Sequence, residues 1–206
     1  RSADKCVDCL TCVRVCPYGV PYITADGSVE IATDQCQACG LCFSECPARA
    51  IGFRTPVFDE VIQGLDTALS GLRSKGSSPA LIGFTCTYGD HAKSSFVELL
   101  SKGLPDNVAV VRIPCVAKIG AAHIIKAFEL GAEGVFITDC PREGCQYQDV
   151  VKWVRRRVEA VKALLGGLGL GGERLEIYGL SSSETGEFMQ VVAGFAEQMK
   201  GLTSIK

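Results

Sequence analysis

The chain is predicted to be an α+β, metal-stapled module followed by an α/β domain with a mainly parallel sheet of about four strands. Three observations lead there. A four-cysteine run occurs twice near the start of the sequence. From Ala80 onward, strand-like apolar runs alternate with helical segments. The four remaining cysteines fall at strand ends or helix starts of that second part. The chain has 206 residues, 47% of them hydrophobic, enough for one to two domains with a packed core in the larger part.

Cys6, Cys9, Cys12 and Cys16 form C-x-x-C-x-x-C-x-x-x-C-P, and Cys36, Cys39, Cys42 and Cys46 repeat it. Cys6 maps to Cys36, Cys16 to Cys46, Pro17 to Pro47, and Ile23 to Phe53. Each run carries the thiolates one iron–sulfur cluster needs. Two residues between cysteines let the chain curl round a cube with its amides facing the sulfurs. The proline after the last cysteine fixes a turn without adding a donor. Leu10, Val13, Val15, Val20, Ile31, Leu41, Phe43 and Ile51 supply an apolar jacket that limits water and tunes potential. Short strands are expected at Tyr22–Thr24 and Ser28–Ile31, with a turn at Asp26-Gly27. A module this small needs a staple. Six disulfides would require an oxidising compartment, and no secretory signal is seen. Zinc ribbons use paired C-x-x-C knuckles rather than a triple with Cys-Pro.

Residues 1–55 therefore resemble the bacterial two-cluster ferredoxins, which makes the fold α+β ferredoxin-like, 2×(4Fe–4S). In those proteins the fourth cysteine of each run serves the other cluster. The resemblance assigns Cys6, Cys9, Cys12 and Cys46 to one 4Fe–4S cluster, and Cys36, Cys39, Cys42 and Cys16 to the second.

Residues 56–79 read as a connecting helix and linker. Thr55 can cap the helix and Pro56 suits its first position. Val57, Phe58, Val61, Ile62, Leu65, Ala68, Leu69 and Leu72 form one apolar stripe, read as packing between the halves, with partner docking as the alternative. Lys75-Gly76-Ser77-Ser78-Pro79 reads as a short flexible link.

In 80–206, strands are expected at Ala80–Phe84, Val108–Ile113, Gly134–Thr138 and Leu175–Leu180. Helices are expected near His91–Lys102, Val116–Leu130, Gln146–Leu165 and Glu184–Lys200, with Gly103, Gly131 and Gly166 at their C-caps. Right-handed crossovers put every strand's carboxyl end on one edge. Cys86, Cys115 and Cys140 follow the first three strands, and Cys145 opens the next helix, where the dipole favours thiolate. Ligands of open α/β sheets bind at that edge. The expectation is a third metal centre held by Cys86, Cys115, Cys140 and Cys145. The C-x4-C spacing favours 2Fe–2S over 4Fe–4S or zinc, and a redox disulfide between Cys140 and Cys145 is the rival.

The segments Phe84-Thr-Cys-Thr-Tyr88, Val111-Arg-Ile-Pro-Cys115 and Asp139-Cys-Pro-Arg-Glu-Gly-Cys-Gln-Tyr147 resemble the delta subunit of methyl-viologen-reducing hydrogenase over about residues 80–200. The resemblance implies one 2Fe–2S cluster and electron relay between a hydrogenase or formate dehydrogenase and heterodisulfide reductase. A ferredoxin module before such a domain is similar to the C-terminal part of fused heterodisulfide reductase A subunits, where a flavin domain lies upstream. Arg1 is then expected to mark a processed chain or part of a longer one. Where the family often carries a second cysteine, this sequence has Gly89. His91 is the alternative ligand, as histidines are in Rieske centres. His123 reads as ordinary packing or surface. Arg112 and Arg142 flank proposed ligands and are expected to act on the cofactor as cations that stabilise its reduced form, or else as solvated charges. The run Arg155-Arg156-Arg157 reads as a solvated face opposite Val150, Val151, Val154, Val158 and Val161, with docking of an acidic partner as the alternative. Gly166–Gly172 follows a helix and precedes a strand, the wrong context for a phosphate loop.

A formal charge of −2 argues against nucleic-acid binding, and no apolar run reaches a membrane span. The expectation is a cytoplasmic electron conduit in a hetero-oligomer, with no substrate chemistry of its own. Its expected partners are a flavoprotein subunit of heterodisulfide reductase type and a hydrogenase or formate dehydrogenase. Rival readings are a component of a quinone-interacting membrane-associated oxidoreductase complex, a freestanding ferredoxin-like carrier, a thiol–disulfide reductase, and a structural zinc domain.

Overall fold

The computed structural model describes residues 1–53, 57–87, 98, 100, 103–140, 145–180 and 185–202. Thr55, Pro56, Gly89, His91, Arg142 and nearly all of the helix expected at 91–102 lie outside the described residues.

The N-terminal part is built from α1 (Thr11–Val15), β1 (Pro21–Ile23), β2 (Val29–Ile31) and α2 (Leu41–Glu45). β1 and β2 pair antiparallel, Pro21 against Ile31, around a turn in which Gly27 takes φ +85° and its N–H donates to the Thr24 carbonyl at 3.0 Å. The repeat seen in sequence recurs in the backbone. Asp8 and Ala38 have φ of 49° and 54°, Leu10 and Gly40 of 60° and 92°, Gly19 and Arg49 of 64° and 50°. Four of these six are not glycine, and each left-handed residue costs about 1–2 kcal/mol. Such costs persist where the surroundings over-determine the shape. Here they curl each cysteine loop so that amides turn inward. Val15, Val20, Leu41 and Ile51 of the expected jacket are buried. The two short helices carrying Cys12 and Cys42 were not expected, because five residues leave no readable period.

α3 (Val57–Ser74) buries Val57, Val61, Leu65, Leu69 and Leu72, the stripe read from sequence. That stripe lies in one core cluster with Ile82 and Phe84 of the following strand, so the helix covers the sheet of the second half. The segment after it is tied rather than free: Ser77 donates to the Asp106 carbonyl at 3.0 Å and Ser78 to Glu133 at 3.2 Å.

The sheet has β3 (Leu81–Cys86), β4 (Val108–Ile113), β5 (Gly134–Asp139) and β6 (Leu175–Gly179), all parallel, in the order β4-β3-β5-β6. Alternation divides its faces. Ile82, Phe84, Val135 and Ile137 meet α3, α4 (Ala121–Glu129) and α5 (Val151–Gly167). Leu81, Val108 and Phe136 meet α6 (Thr185–Lys200) through Phe188, Val192, Phe195 and Met199. Among the described residues no helix is long and apolar enough to cross a membrane.

Two expected helices differ. The segment 116–130 opens as a 3-10 turn, Val116–Lys118, breaks at Gly120, and restarts as α4. A Cβ on Gly120 would stand 3.0 Å from the Ser44 carbonyl oxygen, so the break lies where the N-terminal module presses in. The segment 146–165 opens as a 3-10 turn, Gln148–Val150, and α5 runs on through Gly166 to Gly167. Gly166 is thus inside the helix, and the left-handed exit is Gly169 at φ 72°. Gly131, at φ 94°, does end α4.

Gly83 is the tightest position in the sheet. A Cβ there would meet the Phe136 ring at 2.3 Å. Gly83→Ala is expected to destabilise the fold by about 1–3 kcal/mol through overpacking, read as a lowered midpoint in anaerobic denaturant unfolding; an unchanged midpoint would contradict this packing.

Candidate metal centres

The eight N-terminal cysteines sort into two hollows. Cys6, Cys9, Cys12 and Cys46 line one, with Leu10, Val29 and Ile51. Cys16, Cys36, Cys39 and Cys42 line the other, with Leu41 and Phe53. Each hollow thus takes three cysteines from one run and the last from the other. Amides reach sulfurs at Ala38 N–H to Cys36 Sγ (3.4 Å) and Ala50 N–H to Cys46 Sγ (3.3 Å). Burial raises the Cys12 thiol, with Cys46 and Cys6 adding to the rise. Burial pushes Cys42 up to about 12, with Cys39, Cys16 and Cys36 adding to it. Buried thiols that hinder one another's ionisation suit a site where bound iron compensates several thiolates at once.

The third group gathers at the sheet's switch point. In the order β4-β3-β5-β6, the chain leaves β3 toward one edge and returns on the other side, so the carboxyl ends of β3 and β5 open a crevice between them. Cys86 is the last residue of β3 and Cys140 follows β5. Their sulfurs are 3.1 Å apart. Hydrogen bonds with Cys145 and Cys86 raise the Cys140 thiol further than burial alone. The hydrogen bond with Cys140 draws Cys145 down to about 7, against burial, and the Tyr147 N–H reaches Cys145 Sγ at 3.3 Å. Cys115 is pushed up to about 12 by burial, with Cys86, Cys145 and Cys39 adding to it. Cys86 and Cys140 are thus in contact; Cys115 is buried in the same core cluster, and Cys145, partly buried, packs against it. Among the described residues no three His, Cys, Asp or Glu side chains close round a single ion.

Cys39 belongs to the second hollow, so this group adjoins it. Tyr147 Oη donates to the Gln37 carbonyl, in the Cys36–Cys39 loop, at 2.9 Å. Lys118, 5% exposed, lays its stem across Gly40 of the next turn: a Cβ on Gly40 would lie 2.3 Å from Lys118 Cγ. Its ammonium stands 4.5 Å from the Phe53 ring centre. Burial lowers the Lys118 pKa, while Cys115 and Cys39 oppose the fall.

The reading of Arg155-Arg156-Arg157 as a solvated face fails at its last member. Arg157 is buried and ion-paired with Glu45 of α2. It also donates to Ser44 Oγ at 2.7 Å and to the Ile119 carbonyl. The cause is the module pressing on this end of α5, which the helix's own period cannot reveal. Arg155 pairs with Asp139 at 2.7 Å, and Arg156 lies over the Trp153 ring. Arg112 is exposed on the edge strand β4. Lys118, which sequence reading passed over, is a buried cation that donates its N–H to the Cys115 carbonyl. His123 is buried packing at the same junction: its ring lies 4.4 Å from Phe58 and 6.3 Å from Phe43, and the Gly120 N–H donates to Nδ1 at 3.0 Å. Burial, then Arg157 and Arg49, push its pKa down to about 4.

Both parts of the chain match described protein families. Residues 81–203 match the family described as methyl-viologen-reducing hydrogenase, delta subunit, and residues 1–47 match a 4Fe-4S dicluster domain. The chain is 34% identical over 122 residues to the vhu iron-sulfur subunit of the F420-non-reducing hydrogenase of Methanopyrus kandleri, covering 59% of this chain and 92% of that protein. It is 26% identical over 202 residues to the A subunit of the ferredoxin:CoB-CoM heterodisulfide reductase of Methanosarcina mazei, covering 98% of this chain and 25% of that protein. The chain thus spans about a quarter of the length of that larger relative.

Two outcomes are expected at the junction. Glu45→Ala strands a buried guanidinium and should cost about 3–5 kcal/mol, seen as a lower unfolding midpoint. Between the ordinary histidine value of about 6.5 and about 4, the unfolded chain binds a proton at His123 that the folded chain excludes. Stability is therefore held above the upper value and lost as pH falls through this window. His123→Leu should flatten the dependence of the anaerobic melting temperature on pH from about 6.5 to about 5.

Proposed function

The chain belongs to the methyl-viologen-reducing hydrogenase delta-subunit family, with a 4Fe–4S dicluster domain ahead of it, and on that premise we propose that it is the electron-relay part of a heterodisulfide reductase-type oxidoreductase complex. Cys6, Cys9, Cys12 and Cys46 hold one 4Fe–4S cluster; Cys16, Cys36, Cys39 and Cys42 hold the second. Cys86, Cys115, Cys140 and Cys145 hold a 2Fe–2S cluster. Iron–sulfur centres bound at these positions supply one-electron transfer.

The observation that carries the reading is the contact between the third cysteine group and the second hollow, through Tyr147 on Gln37 and through Lys118, next to Cys115, on Gly40. It supports a linear order with Cys6, Cys9, Cys12 and Cys46 at the far end. The chain's own residues hold that order. The Arg157 contacts fix α2 against α5. Val15, Leu41 and Ile119 keep water from the path. Hydrogenase or formate dehydrogenase meets the sheet-edge end, and a flavoprotein subunit meets the ferredoxin end.

A second reading has one observation behind it: Cys145 is drawn down to about 7 with Cys140 as its hydrogen-bond partner, the arrangement of an attacking thiol. Anaerobic iron and sulfide quantification with EPR separates the two. About ten irons per chain are expected from two cubes and one 2Fe–2S centre, falling to about eight in Cys115→Ser. A wild-type content near eight, with Cys140 and Cys145 rapidly alkylated, overturns the three-centre reading in favour of the thiol pair.

A further inference from the structure

The junction between the second hollow and the third group contains a charge whose placement is otherwise hard to explain. Lys118 is 5% exposed, and among the described residues no carboxylate lies within ion-pair distance of it. Taking an ammonium out of water without a counterion costs several kcal/mol. Its stem is held by the bare backbone of Gly40 and its head by the Phe53 ring. Its own N–H donates to the Cys115 carbonyl at 3.0 Å, and its side chain lies on Gly40 and Phe53, which line the second hollow with Cys39, so it stands between the two cysteine groups. A buried cation placed between two cysteine groups gains a counterion when those groups carry anionic clusters.

We propose that Lys118 is a positioning residue for electron transfer: it is a cation shared by the second 4Fe–4S site and the third centre, and it stabilises an added electron on either one. The proposal rests on the three-centre reading given above. Reducing a centre by one electron adds one negative charge, and a fixed positive charge in a water-poor junction favours that state. Its influence reaches both adjoining sites and falls off toward Cys6, Cys9, Cys12 and Cys46. The ammonium thereby keeps the two inner centres easier to reduce than the same ligands alone would make them.

The test is an EPR-monitored potentiometric titration of the full chain, purified anaerobically, as wild type, Lys118→Met and Lys118→Arg. In Lys118→Met the reduced-to-oxidised ratio at a fixed potential should fall about tenfold for the third centre and for one 4Fe–4S centre. That corresponds to about 59 mV for a one-electron couple. The other 4Fe–4S centre should keep its midpoint and serve as the internal control, and Lys118→Arg should recover most of the loss. Full iron content with unmoved midpoints, or equal shifts at all three centres, overturns the proposal. So does a Lys118→Arg variant that shifts as far as Lys118→Met. If Lys118→Met loses iron, Lys118→Gln gives a second, neutral and polar replacement. Loss in both with retention in Lys118→Arg supports the charge, and loss in all three overturns it. A wild type holding only about eight irons instead sinks the three-centre reading, which separates the two failures.

Discussion

The buried guanidinium of Arg157 is the constraint on which the rest of the molecule depends. It leaves α5 to reach Glu45, Ser44 and the carbonyl of Ile119, joining a small metal-binding module to a sheet domain. Burying a guanidinium costs free energy that only a complete set of acceptors offsets, so the contact forms in one docking geometry. Apart from it the two lobes share mainly apolar surface, the Tyr147–Gln37 hydrogen bond and Lys118 over Phe53, none of which buries a salt bridge. In a relay the spacing between centres must be held.

The sheet adds a second constraint. Its strand order leaves one crevice at the carboxyl edge, and two of the four clustered thiols come from the strands that flank it. Cys115 arrives from the edge strand through an extended residue leading into a 3-10 turn. That same turn carries Lys118 inward to Gly40. One short element thus delivers both a candidate ligand and the cation beside it.

The sequence made the ligand skeleton legible because cysteine spacing is read directly. The repeated run from Cys6 to Cys46 gave the eight thiols, its resemblance to two-cluster ferredoxins gave which ones share a hollow, and β-α alternation placed Cys86, Cys115 and Cys140 on one rim. Strand ends were right to within one or two residues, since apolar runs bounded by Gly and Pro mark them well. What stayed hidden lies at the contact between the halves. Arg157 sits in a basic run on a helix, indistinguishable by period from a solvated face. Lys118 gives no signal at all, because its burial is created by Gly40, far away in sequence. The helix break at Gly120 has the same origin. Local pattern reports what a segment would do alone, and these residues answer to a partner surface.

The doubled backbone of the N-terminal module has a further implication. Its two halves repeat the same left-handed positions, so by shape alone the two cubane pockets would be interchangeable. They part company at Leu10 and Gly40, equivalent places with unequal bulk. A leucine on one loop keeps that flank closed to visitors, and a glycine on the other leaves a notch where a lysine from a different lobe crosses. A single missing side chain thus breaks the pseudo-symmetry, giving a near-twofold object an inner pole and an outer one.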